Sequence, residues 1–368
     1  MKRILIFLLA GIFLLAACSG QAEDPIEEPI EAVTLPATIE EEETERLQVI
    51  ATIFPQYDFI RQIAGDRVDL TMLLSPGAEA HSFEPSPQDI IRIQDADLFI
   101  YVGGHGERWV ETILAAVLEE HDMHVAALMD LVDTLETEHE HDHDHDHHHD
   151  HHHDHSHSHG HSHGDTCEDE DDCDDESHHH GHGHSHDHDH GDLEFDEHVW
   201  TSPRNAIRIV EALTEILVEL DAENTEFYRE NAASYIAELE ALDAAFAEVV
   251  AEAVRHTIVF GDRFPFRYLA HAYGLTYYAA FPGCSTETQA SPATVARLIE
   301  TVREQEIPVV FYIEFSNQQM ADVIVEDTGA RKLELHSAHN LSHADFTGGV
   351  TYLEIMWRNV EHLREALS

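Results

Sequence analysis

Histidine dominates the chemistry open to this sequence. It supplies 34 of 368 residues, and the stretch HDHDHDHHHDHHHDHSHSHGHSHG at 141–164 is almost nothing but potential ligands. Neutral imidazole is the commonest metal ligand among side chains, so metal binding is the first chemistry to weigh. The stretch has no apolar residues to bury, and each binding event must order the chain. It is therefore expected to take up several ions weakly, as a capture or buffering segment for a site elsewhere. Cys167 and Cys173, six apart in the same acidic tract, either close a small disulfide loop or join nearby histidines on metal.

Outside the tract, ligand-type residues stand at the ends of short apolar runs. His81 follows VDLTMLLSPGAEA, His198 sits in DEHVW, Asp262 ends HTIVFGD, Glu314 closes VVFYIE, and His336 ends ARKLELH with His339 shortly after. His105, in VGGHGERW, is read as a loop residue. Taken singly, each has an ordinary structural role open to it: Asp262 can pair with Arg263 or Arg267, and Glu314 can cap a helix starting near Asn317. Their convergence on strand ends carries the reading. Nitrogen-rich coordination favours tetrahedral Zn²⁺, whereas carboxylate-rich sites favour Mn²⁺.

The elements that must hold these residues alternate regularly. LQVIATIF, VDLTMLLSPG, DLFIYVGG and HVAALMD read as strands, with helices at QYDFIRQIAG, SPQDIIRIQDA (Ser86 as N-cap, Pro87 at the first helical position) and ERWVETILAAVLEE. The second half repeats the pattern with strands HTIVFGD, LTYYAAF, VVFYIEF and ARKLELH. Such spacing argues for parallel βαβ units. Between the halves, residues 223–255 carry apolar positions three and four apart without Pro or Gly, which predicts one long helix. The expected fold is α/β: two lobes of four-stranded parallel sheets with flanking helices, joined by that helix. Open parallel sheets bind ligands beyond their carboxyl strand ends, which puts the expected metal in the cleft between lobes. The predicted boundaries are 47–222 for the first lobe, 223–255 for the helix and 256–368 for the second lobe, with 136–197 a His/Asp-rich disordered loop.

HSFEPSP at 81–87, DEHVW at 196–200 and YLAHAYGL at 268–275, with the His-rich insertion before the second, resemble a known family. It is the zinc-binding solute-binding proteins of bacterial ABC transporters, the ZnuA-like cluster A-I metal receptors. The likeness runs from about residue 47 to the end. It implies a metal in the cleft, His81 and His198 as first-lobe ligands, and a membrane permease as partner. One departure stands out: where that family has a third His, this chain has Arg263, which stays protonated and cannot coordinate. The family's carboxylate position falls near LELHS, so the expected ligands are His81, His198 and His336, with Asp262 or Glu314 as a fourth.

Bulk properties agree. A formal charge of −55, with 19 basic against 74 acidic residues, excludes a nucleic-acid surface. About thirty of the acids fall in 21–46 and 136–197. The start, MKRILIFLLAGIFLLAACSG, has a basic end and an apolar run shorter than the ~20 residues of a spanning helix. Leu15-Ala16-Ala17-Cys18 resembles the bacterial lipobox, making Cys18 the lipidated first residue after a signal at 1–18. Residues 19–46, acidic and Pro-rich, read as a tether. The expectation is a monomeric, lipid-anchored protein outside the cytoplasm that captures Zn²⁺ for a permease. A manganese receptor on the same scaffold, or a surface metal buffer or adhesin, is the alternative. A zinc hydrolase is disfavoured, since neither an HExxH helix nor a G-x-S-x-G elbow is found.

Overall fold

Runs such as LFIY and VVFY, apolar on both faces, make strands buried on both sides, as parallel sheets require. The computed structural model describes residues 46–79, 83–118, 121–136, 195–281, 283 and 290–368. Strands β1 (Leu47–Ala51), β2 (Val68–Met72), β3 (Leu98–Tyr101) and β4 (His124–Ala127) form one sheet in the order β2-β1-β3-β4. Strands β5 (Thr257–Arg263), β6 (Thr276–Phe281), β7 (Val309–Tyr312) and β8 (Arg331–Glu334) form a second in the order β6-β5-β7-β8. Every pairing is parallel. Two like sheets, each with flanking helices, confirm the expected α/β class.

The helices are α1 (Phe54–Ala64), α2 (Pro87–Gln94), α3 (Arg108–Val117), α4 (Pro203–Leu220), α5 (Thr225–Ala251), α6 (Arg267–Tyr273), α7 (Pro292–Glu304), α8 (Gln319–Thr328), α9 (His343–Thr347) and α10 (Tyr352–Leu367). Local chemistry sets their starts. Ser86 caps α2, accepting from Asp89 N–H while its own N–H donates to the Asp89 carboxylate, and Ser291 caps α7 through Thr294 N–H. The single-turn α9 leaves no readable period and is a finding of the structure. Among the described residues no helix is long and apolar enough to cross a membrane.

Helix α5 is the long element between the sheets in sequence. Tyr228, Ala232, Tyr235, Leu239, Leu242, Phe246 and Val249 repeat at alternating four- and three-residue steps and are all buried, a narrow apolar seam of the coiled-coil kind. It packs against α1, α4 and α10. One hydrophobic cluster consequently runs through both halves, from Val49, Phe54 and Leu98 to Phe260, Phe311 and Leu363. Asp58 of α1 reinforces the join by accepting from the Tyr352 N–H at the start of α10, 2.6 Å away. The lobes are thus packed together through a shared core.

One glycine is required by close approach. A Cβ on Gly261 of β5 stands 2.4 Å from Ala321 Cα and 2.5 Å from its nitrogen, both backbone atoms of α8. Gly261→Ala must therefore shift the helix, and overpacking of this kind costs about 1–3 kcal/mol. A lowered midpoint in urea unfolding, with the slope unchanged, is the expected result.

Candidate metal centre

The carboxyl ends of β5, β7 and β8 face the segment Asp196–Trp200, and a cleft opens there between the lobes. Its lining includes Glu79, His198, Arg263, Glu314, Ser337 and His339. Histidines from the two halves meet inside it: the His198 and His339 ring centres lie 5.6 Å apart, nearly perpendicular. Trp200 supports both rings, 5.5 Å from His198 and 5.1 Å from His339.

His198 is fixed by its own motif. It is 1% exposed, just before a single 3₁₀ turn, Val199–Thr201. Asp196 Oδ1 sits 3.1 Å from its Nδ1 and also accepts its backbone N–H at 2.9 Å. An ionised carboxylate can only accept, so Nδ1 carries the proton and Nε2 the lone pair, the arrangement found behind metal-ligating histidines. Burial pushes the Asp196 pKa up, but the His198 ring, the two hydrogen bonds from His198 and Arg267 together hold it below the ordinary value. Tyr268, from the YLAHAYGL motif, anchors the segment by donating to Asp196 O at 2.8 Å. Gly283 packs against the same pair: a Cβ there stands 3.2 Å from the Asp196 carboxylate and 2.9 Å from Phe264 O.

Glu314 follows β7 and is 8% exposed. Ser337 donates to it twice, through its N–H at 2.7 Å and through its hydroxyl. Trp200 Nε1 in turn donates to Ser337 O at 2.8 Å. The carboxylate is thereby aimed by hydrogen bonds from the same loop that carries His339.

Two expected ligands lie differently. His336 is not part of this lining. Its Nδ1 accepts the Ala338 N–H at 3.0 Å, and its own N–H donates to Asn359 Oδ1 at 2.9 Å. Ala338 has φ of 60°, a costly conformation for a residue with a Cβ, and the His336 ring braces that turn. The turn in its turn presents His339. Asp262 also turns away, because successive strand side chains point to opposite faces and its neighbour Arg263 takes the cleft side. A register shift in β5 between Phe260 and Arg263 marks the spot. Asp262 accepts from Arg263 N–H at 2.9 Å and Ile313 N–H at 3.4 Å, tying the end of β5 to that of β7. Burial raises its pKa, against hydrogen bonds from Ser316, Arg263 and Ile313 that lower it.

His81, Cys18, Cys167, Cys173, Cys284 and the tract at 141–164 lie outside the described residues. The chain on either side of the insertion does meet: Glu136 and Phe195 form an antiparallel bridge, and Asp196 N–H donates to Leu135 O at 2.9 Å. The insertion therefore leaves and rejoins the fold three residues before His198. Asp196 and Ser337, which orient His198 and Glu314 through hydrogen bonds, were not singled out from sequence, although Asp196 stands inside the quoted DEHVW.

A second cavity shares His339 with the cleft and is lined also by Thr52, Glu107, Glu197 and Trp200. Glu197 accepts Gly106 N–H at 2.6 Å. A Cβ at Gly104 or Gly106 would stand 2.7 Å from the Glu197 side chain, which accounts for two of the three glycines of VGGHG. The Glu107 carboxylate accepts from Val102 N–H at 2.6 Å and Gly103 N–H at 3.2 Å. Burial still pushes its pKa from 4.5 up to about 7. Between those values the native state keeps a proton that the unfolded chain has released. Stability therefore falls as pH rises through that window and levels off above it, by about 3 kcal/mol for a shift of this size. In zinc-free protein, Glu107→Gln is expected to remove that slope, gaining on the wild type from pH 4.5 to 7 in urea unfolding.

Comparison with known proteins identifies the family. A family model described as the periplasmic component A of zinc-uptake complexes matches residues 49–366. The high-affinity zinc uptake system protein ZnuA of Bacillus subtilis is 29% identical over 364 residues, 98% of this chain and 97% of that protein. The zinc-binding lipoprotein AdcA of Streptococcus pneumoniae is also 29% identical, over 87% of this chain but only 56% of its own length. Among solved structures, the Zn(II)-bound ZnuA-like domain of that AdcA has a TM-score of 0.64 and 26% identity, covering 88% of this chain and 99% of the domain.

Proposed function

Because the chain belongs to the family of periplasmic component A proteins of zinc-uptake complexes, we propose that it is the solute-binding component of a zinc ABC importer. It captures one Zn²⁺ in the cleft and delivers it to a membrane permease. The observation that carries this is the pairing of His198 and His339, one from each lobe, with ring centres 5.6 Å apart. Two imidazoles bound at ~2.0–2.1 Å to one tetrahedral zinc bring their ring centres to about this separation. Glu314 is the nearby carboxylate and His81 completes the set from the first lobe. His339 takes the place that the sequence reading gave to His336.

The family role is binding and delivery, so coordination and release of the ion are the only bond changes this zinc requires. The segment ending in Cys18 supports a lipid anchor outside the cytoplasm, with residues 19–46 as tether. The insertion rejoins the fold beside His198, which supports its role as a low-affinity collector feeding the cleft. Chelator competition on the metal-stripped protein tests the reading. One zinc is expected to bind far more tightly than all others and more tightly than manganese, and deletion of 139–190 is expected to remove only the weak sites. A set of equal sites, or loss of the tight one on deletion, contradicts it.

A further inference from the structure

The proposed ligands sit on loops of both lobes, and one buried side chain ties those loops together. Asn340 directly follows His339 and is 2% exposed. Its Nδ2 donates to Ser75 O and to Ala78 O, at 2.9 Å each, while its Oδ1 accepts from Leu341 N–H at 2.8 Å. Gly77 N–H donates back across the same gap to Leu341 O at 2.7 Å. Ser75–Ala78 is a tight turn beyond the end of β2, closed by Ala78 N–H to Ser75 O at 3.0 Å. The turn offers two carbonyls to a single amide, and no other residue type of that size donates twice from one nitrogen. The next residue, Glu79, pairs with Arg263 across the cleft at 2.9 Å.

We propose that Asn340 is a positioning residue for zinc capture. It locks the Ser75–Ala78 turn of the first lobe to the His339 loop of the second, so that the ligand-bearing edges keep their spacing before the ion arrives. The role rests on the zinc-receptor reading above. The shared core and the Asp58–Tyr352 bond already join the lobes at depth, so the Asn340 tie acts at the rim, where ligand spacing is set. Ordering completed before binding is ordering that the ion need not supply.

Asn340→Ala removes both donations, and Asn340→Asp loses them while keeping the Oδ1 acceptor. Gly261→Ala, whose added methyl meets the backbone of α8 at Ala321 and none of the atoms of the tie, is the control for simple loss of stability. Zinc affinity by chelator competition is expected to fall about tenfold in both Asn340 variants. The Gly77 amide of zinc-free protein should exchange faster in both, and Gly261→Ala should keep wild-type affinity. Asn340 variants that bind zinc within about twofold of wild type overturn the proposal. So does an equal loss of affinity in Gly261→Ala, which marks a merely structural effect. Amide exchange needs no metal, so unchanged exchange at Gly77 refutes the tie itself. A wild type with no tight zinc refutes the receptor reading instead, and with it this role.

Discussion

Replacing His198 with alanine is expected to abolish tight zinc binding while leaving the fold intact. Among the described residues its ring is the most completely enclosed of the proposed ligands. Its tautomer is set by Asp196 and its backbone is held by two bonds from Thr201, N–H at 3.2 Å and hydroxyl at 2.8 Å, to His198 O. Those backbone bonds survive the substitution. Outer-shell changes behind metal-bound histidines cost roughly 10- to 100-fold in affinity, and loss of the ligand itself is expected to exceed that range. Asp196→Asn supplies the graded comparison. It keeps the shape but lets the ring choose either tautomer, so affinity should fall within the 10- to 100-fold range. Chelator competition measures both, with far-UV circular dichroism as the check on folding.

The second large effect separates two neighbouring histidines. His339→Ala is expected to cost zinc affinity on the scale of His198→Ala, whereas His336→Ala should change it far less. His339 lines the cleft and leans on Trp200, while the His336 Nδ1 is occupied by the Ala338 N–H. His336→Ala should instead lower stability, since it releases the turn at Ala338 with its positive φ. Trp200 adjoins both cleft rings, so zinc-induced change in tryptophan emission reports on His339→Ala directly. Equal zinc affinities in the two variants would reverse this assignment.

Most of the fold was legible because the pattern is strong. The runs LFIY and VVFY, the Ser-Pro helix starts at Ser86 and Ser291, and the 4-3 stripe along α5 each specify one local structure with little competition. His198 was legible for a different reason, since DEHVW is a distinctive string and Asp196 two residues earlier is part of how it works. His339 and His336 are three residues apart on an irregular loop, and no periodicity says which one faces the cleft. The left-handed turn at Ala338 decides it, and alanine gives no sign of such a turn. The placement of Asp262 is hidden in a similar way: strand alternation allows only one of Asp262 and Arg263 to face the cleft, and the shifted register at the end of β5 conceals which. Asn340 leaves no sequence signal, because its partners are backbone carbonyls more than 260 residues earlier.

The central claim is that a single zinc is held between the lobes with both His198 of the first and His339 of the second among its ligands. Anomalous diffraction at the zinc edge from crystals grown with one equivalent of zinc tests it most directly. The account predicts one strong peak in the cleft, at about 2.0–2.1 Å from a ring nitrogen of His198 and of His339. A peak that lies away from either ring, or only in the His-rich insertion, contradicts it.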